Sequence, residues 1–154
     1  MRIQILMLGS ILPLIAAEPA GYKHWTPAEL KDRTKALSPK IDAHKIATER
    51  LADFGNYHAL AVHREGSGQA EVHQRWADLF VVQSGTATLV VGGTIPNGKV
   101  TAPGEIRGPT IQGGTRQKLS PGDIVHIPAK TPHQFLFDVA GTAEFNAFVL
   151  KIRP

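Results

Sequence analysis

Four side chains of metal-binding type stand in two separate stretches of the chain. Glu71, His73 and Asp78 belong to the stretch EVHQRWADLF, and His133 closes the later stretch PGDIVHIPAKTPH. On a β-strand, alternate residues project from the same face, so Glu71 and His73 point together. An antiparallel neighbour that begins at Asp78 can bring its carboxylate beside them. Imidazole and carboxylate groups that converge in this way predict a site for a divalent metal.

The elements that must hold these residues read as short strands. Apolar residues bounded by turn residues predict strands at 46–54, 57–64, 70–73, 76–83, 86–91, 123–127, 133–138 and 144–152. The sequence TPAE from Thr26 to Glu29 is a capping box with proline at the first helical position, and it predicts a short helix ending near Leu37. Many short strands with one short helix predict an all-β fold, an antiparallel sandwich or a small barrel.

The segment 92–122 is rich in glycine and proline and has only short apolar pieces. It predicts a long excursion with at most one short strand, and loops of this length are often functional. Two roles are open for it. It could close over the mouth of the site as a lid, or it could be a flexible or dimer-contacting loop.

Composition excludes several classes of function. The chain has 154 residues, which suits a single domain, and it contains no cysteine, so disulfides, zinc–thiolate sites and cysteine nucleophiles are excluded. The formal net charge is +4, but the basic residues are spread out and the densest group, 31–35, alternates with acidic residues. That pattern predicts a solvated helix face, and no nucleic-acid partner.

The N-terminal residues have the layout of a secretory signal peptide. An early arginine, an apolar stretch and a small-residue exit at Ala16-Ala17 predict a signal at 1–17, followed by an N-terminal arm and helix at 18–45 and the barrel at 46–154. The alternative is a buried N-terminal strand or helix. The signal predicts export to the periplasm or the extracellular space, with no stable membrane span once it is removed.

The first of the two stretches resembles the first motif of the cupin superfamily. That motif has two histidines separated by one residue, then a glutamate and a glycine at fixed distances, and here the four places hold Glu71, His73, Asp78 and Gly85. A carboxylate therefore replaces the first histidine, and an aspartate replaces the glutamate. A further place, where the motif opens with glycine, holds Glu65.

The second stretch resembles the second cupin motif and is the more specific half. Its glycine, proline and histidine places hold Gly122, Pro128 and His133, while Lys130 and Phe137 replace a glycine and an asparagine. The resemblance covers about 46–152. It implies a small β-barrel of two antiparallel sheets (jelly-roll-like), a ligand or metal pocket at its centre, and frequent homodimerisation.

The resemblance also implies which residues surround the pocket. The metal ligands would be Glu71, His73, Asp78 and His133, with His63 on the preceding strand as a reserve ligand. A set of two carboxylates and two imidazoles suits manganese or iron(II), and nickel or zinc less selectively, and it would neutralise a dication. Side chains that share the faces of Asp78 and His133 would line the pocket, namely Phe80, Val82, Phe135 and Phe137.

Two functions remain open at this point, ahead of a third in which the barrel has only a structural role as an oligomerisation unit. One is a metal-dependent enzyme of dioxygenase, lyase or isomerase type that acts on a small organic molecule. The other is a non-catalytic barrel that binds a small ligand, with the same residues forming a polar pocket without metal. An open coordination position beside the metal would favour catalysis.

Overall fold

The computed structural model describes residues 17–137 and 144–154. The predicted signal peptide lies outside this part of the chain except for Ala17, and so does Asp138 at the end of a predicted strand. Export therefore stays a prediction. Within the described ranges, no helix is both long enough and apolar enough to cross a membrane.

The described chain is one α-helix and a short 3-10 helix (Ser38–Lys40) followed by eleven strands in two antiparallel sheets, which confirms the predicted all-β fold. One sheet has five strands in the order β1-β2-β11-β4-β9, and the other has six in the order β6-β7-β3-β10-β5-β8. The elements are α1 (Pro27–Leu37), β1 (Ile46–Asp53), β2 (Tyr57–Arg64), β3 (Ala70–His73), β4 (Ala77–Gly85), β5 (Ala87–Val91), β6 (Lys99–Ala102), β7 (Glu105–Gly108), β8 (Thr115–Leu119), β9 (Ile124–Ile127), β10 (His133–Leu136) and β11 (Phe145–Ile152).

The helix α1 begins at the predicted capping box. The backbone N–H of Glu29 donates to the Thr26 hydroxyl at 3.2 Å, and the Glu29 carboxylate accepts from the Thr26 backbone N–H at 2.8 Å. These two bonds satisfy donors that a helix N-terminus leaves free. Leu37 at the other end is buried against Ala47 and Ala61, so the helix covers the outer face of the five-stranded sheet.

The space between the sheets is filled by one apolar core. Alternate residues of β2, β4, β5, β10 and β11 point into it, as the two-residue period of a strand requires. Its buried members are Val62, Phe80, Val82, Ala87, Leu89, Leu119, Ile127, Phe135, Phe145, Ala147 and Val149. The polar residues with metal-binding side chains lie at one end of this filled interior.

The segment 92–122 differs from the prediction. Instead of a long excursion with at most one strand, it forms β6, β7 and β8, which belong to the six-stranded sheet. β7 pairs with β3 along its whole length, and β8 pairs with β5. The strands were missed because β6 and β8 are almost entirely exposed, and so show no apolar alternation.

Candidate metal centre

Strand register brings the two halves of the predicted site together. Glu71 on β3 is paired directly with His133 on β10, and His73 lies two residues further on the same face of β3. Ligand atoms of Glu71, His73 and His133 lie within 4.8 Å of one another. These three residues are called the Glu-His-His group below.

Both imidazoles of the group are oriented by a second partner. His73 Nδ1 lies 2.5 Å from a carboxylate oxygen of Glu105, and His133 Nδ1 lies 3.1 Å from the backbone carbonyl oxygen of Thr131. Because these oxygens can only accept, each Nδ1 carries the proton and donates it. Each Nε2 is then left with its lone pair facing the group, which is the usual arrangement of metal-binding histidine.

The Nε2 atom of His133 is the clearest indication that a cation fits this site. The side chain is 1% exposed, and among residues 17–137 and 144–154 no group hydrogen-bonds to this nitrogen. Its nearest polar neighbours are Glu71 Oε1 at 3.5 Å and Asp78 Oδ2 at 3.7 Å. A lone pair that faces two carboxylate oxygens is unfavourable unless a proton or a metal cation lies between them. The residues present therefore fit a divalent metal.

Asp78 lies beside the group but is already paired. It stands opposite Lys151 in the β4–β11 ladder, and Lys151 Nζ donates to Asp78 Oδ1 at 2.8 Å. Its other oxygen, Oδ2, lies 3.3 Å from His73 Nε2. Lys151 was not expected in the barrel interior, and it balances the charge of Asp78.

Two arginines, which were also missed, flank the carboxylate of Glu71. Arg107 on β7 is its cross-strand partner, with Nη2 at 3.4 Å from Oε2, and Arg64 Nη2 lies 3.5 Å from Oε1. Arg64 is buried, and its guanidinium stacks over the ring of Phe135 at 4.9 Å from the centroid. The expectation that two carboxylates alone would neutralise a dication is therefore wrong, because cations already balance both of them.

The charges of the site shift the pKa values of its members. Burial would raise the pKa of Glu71, but the nearby His133 imidazole and Arg64 guanidinium outweigh it and hold that pKa well below its usual range. Burial likewise opposes ionisation of Asp78, yet His73 and Lys151 keep its pKa below the ordinary value. For His73, burial acts to lower the pKa, but the nearby carboxylates of Asp78 and Glu71 outweigh it and raise the pKa.

The reserve ligand His63 lies on the wrong face of its strand. Its Nδ1 is 2.7 Å from Asn146 Oδ1, and its Nε2 is 2.9 Å from a carboxylate oxygen of Glu65. Its neighbours on β2, Val62 and Arg64, face the interior, so alternation turns His63 outward, beneath the helix side of the sheet. It therefore cannot serve the Glu-His-His group.

The side chains expected to line a pocket pack in the core. Phe80, Val82 and Phe135 are each at most 4% exposed, and Phe137 packs against them partly buried. None of the four lines the cavity beside α1 or the cavity beside Glu71. One cavity, of about 10 Å³, adjoins the Glu-His-His group and is lined by His44, Ile46, Arg64, Gln69, Glu71 and Arg107.

The larger cavity, of about 740 Å³, lies outside the barrel. It is bounded by α1 and by outward-facing residues of the five-stranded sheet, among them Ser84 and Asn146. Asn146 alternates along β11 with Phe145 and Ala147, which enter the core, and the irregularity of the β4–β11 register at this point places Ser84 beside Asn146. The sheet therefore separates this cavity from the Glu-His-His group.

Lys130 occupies a turn position that favours glycine. Its φ is +67°, in the left-handed region, and its backbone N–H donates to the carbonyl oxygen of His73 at 2.8 Å. The second cupin motif has glycine at this place. The turn between β9 and β10 thus keeps its backbone conformation despite the lysine, and it ties His73 to the segment that leads to His133.

No protein-family model matches the chain, and no curated protein matches it in sequence. Solved structures match in fold. A candidate mannose-6-phosphate isomerase from Ralstonia eutropha JMP134 superposes with a TM-score of 0.51 at 14% identity, covering 74% of this chain and 90% of that one. The protein TT1209 from Thermus thermophilus gives 0.52 at 16% identity, covering 77% and 92%. A variant of Streptomyces PAC13 with uridine gives 0.51 at 10%, covering 73% and 72%.

At these sequence identities the matches establish the fold, and they do not establish an activity or a ligand. They agree with the two-sheet architecture of this chain. The chain has the fold of these structures, two antiparallel sheets around one core, which is the fold that the resemblance to cupins implied.

Proposed function

We propose that Glu71, His73 and His133 hold one divalent cation, and that the barrel is a small metal-dependent enzyme acting on a small organic molecule. The observation that carries this proposal is the buried, unpartnered Nε2 of His133, aimed at the same point as His73 Nε2 and the Glu71 carboxylate. Leaving such a group unsatisfied costs about 1–3 kcal/mol, and a metal ligand bond removes that cost.

The donor set indicates which metals suit the site. Two imidazoles and one carboxylate leave other coordination positions open, as in the facial triads that bind iron(II). Manganese also suits these donors, and nickel and zinc are less selective alternatives. A bound metal of this kind supplies Lewis acidity toward an oxygen of the substrate.

The chain supplies a candidate proton acceptor beside the same point. Asp78 Oδ2 faces both imidazoles, and the hydrogen bond from Lys151 keeps this carboxylate ionised while its second oxygen stays directed inward. A carboxylate held in this way can take a proton from a bound molecule. The side chain of Lys151 is 20% exposed, so the ion pair with Asp78 lies within reach of solvent.

The second candidate function is a barrel that binds a small ligand without metal, in which the same residues form a polar interior. The carboxylates near the group already have cationic partners, and the adjoining cavity of about 10 Å³ holds no more than one water. In that case the same residues would form a hydrogen-bonded network that ties β3, β7 and β10 together.

Metal analysis by mass spectrometry separates the two candidates. The protein is loaded in turn with manganese, iron(II), nickel and zinc, freed of excess metal, and compared with His73→Ala and His133→Ala. His126→Ala is the matched control because His126 lies exposed on β9. We expect about one metal per chain in the parent and in the control, and loss in both site variants, with folding checked by circular dichroism. A parent protein that retains none of the four metals would contradict the metal site and favour the second candidate, a polar interior without metal.

A further inference from the structure

The charged side chains around the Glu-His-His group cancel one another. Three carboxylates lie in or beside the group within the described residues, and each lies directly opposite a basic side chain in the strand ladders. Glu71 is paired with Arg107 and His133, Glu105 with His73, and Asp78 with Lys151. Arg64 adds a second guanidinium beside Glu71. The cluster consists of the anions Glu71, Asp78 and Glu105 and the cations Arg64, Arg107 and Lys151, with two imidazoles between them.

This balance has a consequence for metal binding. Imidazoles bind a metal in their neutral form, and with both imidazoles neutral the charges of the three anions and three cations sum to zero. A dication would add two positive charges in a largely buried space. When Glu71 turns its charge toward the metal, the two guanidiniums beside it also lose part of their counter-ion. Positive charges a few ångströms apart repel strongly where water is excluded.

The structure provides a place for a compensating anion. Arg64 and Arg107 border the small crevice next to Glu71, which opens to the surface past His44 and Gln69. Arg64 is 5% exposed, and its Nε has no hydrogen-bond partner within the part of the chain that the structure describes. A Cβ at Gly68 would collide with Arg64 Nη1, so the glycine leaves room for the guanidinium in this position.

We propose that Arg64 and Arg107 bind the anionic group of a small carboxylate ligand beside the metal, so that metal and carboxylate bind cooperatively. This inference rests on the proposed metal site and names the class of molecule that the site receives. The planar fork of a guanidinium matches the two oxygens of a carboxylate. The crevice of about 10 Å³ has room for one oxygen atom, and because it opens to the surface the rest of a small carboxylate would lie at its mouth.

The test is a titration with Mn²⁺ in which the free ion is followed by electron paramagnetic resonance. Ionic strength is held constant with sodium perchlorate, and the titration is repeated with sodium formate, the smallest carboxylate, or with formamide, its neutral analogue. We expect formate to tighten Mn²⁺ binding about tenfold, within the usual range of coupling between two sites, and formamide to leave it unchanged.

Substitution of Arg107 separates this role from a structural one. Arg107 is preferred to Arg64 because its side chain is 34% exposed and its removal leaves the core intact. Arg107→Gln should bind Mn²⁺ more tightly than the parent without formate, because one repelling charge is gone, and should lose most of the formate effect. A merely structural arginine would weaken Mn²⁺ binding when removed. Arg116→Gln, at an exposed position on β8, should change neither quantity.

The outcomes distinguish the inference from the proposal on which it rests. If the parent binds Mn²⁺ equally with and without formate, or if Arg107→Gln weakens binding, the anion subsite is overturned and the metal site stands. If the parent binds no Mn²⁺ in either buffer, the metal site itself fails and the subsite fails with it.

Discussion

Lys151 should stabilise the fold through its ion pair with Asp78. Asp78 is 2% exposed and Lys151 Nζ donates to it at 2.8 Å, so replacing Lys151 with methionine leaves a buried carboxylate without its counter-ion. Removing one partner of a buried pair costs about 3–5 kcal/mol. Because the lysine side chain is itself 20% exposed, water can reach the freed carboxylate, and we expect the low end, about 3 kcal/mol. In a chain of this size that corresponds to a melting point lower by about 6–12 °C.

The assay is urea unfolding of the metal-free protein in EDTA, with four forms compared: parent, Lys151→Met, Asp78→Asn and the double variant. Removing the charge of Asp78 should restore much of the stability that Lys151→Met loses, giving a coupling of about 2 kcal/mol. The ion pair would be shown to contribute no net stability if Lys151→Met unfolds within about 0.5 kcal/mol of the parent, or if the two single losses simply add.

The same variant reports on the fourth predicted ligand. In the parent, Lys151 holds one oxygen of Asp78. Without the lysine, Asp78 is free to turn toward a metal at the Glu-His-His group, and its charge then favours the cation. We therefore expect Mn²⁺ to raise the melting point of Lys151→Met by more than it raises that of the parent. An equal rise in both would show that Asp78 does not reach the metal.

Three further substitutions test individual residues of the site and its turns. Glu105→Ala removes the carboxylate that orients one imidazole, so metal affinity in a calorimetric titration should fall about 10–100-fold, and Glu105→Gln should fall less; unchanged affinity in both would contradict this role. Gly85→Ala should lower the free energy of unfolding by about 3 kcal/mol or more, since its φ is +77° and the new Cβ would collide with a backbone carbonyl oxygen. Gly55→Ala is the control, because its φ is +86° but the space around it is open, and it should lower the free energy of unfolding by only about 1 kcal/mol. Equal losses in the two variants would show that the structure relaxes around the collision. Lys130→Gly should raise the free energy of unfolding by up to about 1 kcal/mol, whereas Lys130→Ala, which keeps the left-handed strain, should not raise it. A lower free energy of unfolding in the glycine variant would mean that the lysine side chain itself stabilises the turn.

Much of the fold could be predicted because its signals are local. The capping box at 26–29 fixes the start of α1, and the turn glycines and alternating apolar residues mark β2 and β3 at the predicted bounds. The motif stretches also placed Glu71, His73 and His133 together, since two residues on one strand and a third at the start of another need only one register to meet.

The missed parts depend on register, which single residues do not reveal. Arg64 and Lys151 occupy inward positions at the ends of β2 and β11, where a charged residue at a strand end is ordinarily assumed to face solvent. Glu105 and Arg107 lie on β7, whose hairpin with β6 turns at Pro103-Gly104. That dipeptide is a turn signal, but neither the exposed strand β6 nor the half-buried strand β7 carries an apolar period to support it.

The most direct test of the metal centre is a crystal of the protein soaked in Mn²⁺, with an anomalous-difference map calculated near the manganese absorption edge. We expect one strong peak about 2.2 Å from His73 Nε2, His133 Nε2 and a carboxylate oxygen of Glu71, with Asp78 still bound to Lys151. A map with no peak at the Glu-His-His group, in crystals that contain millimolar Mn²⁺, would contradict the proposed metal site.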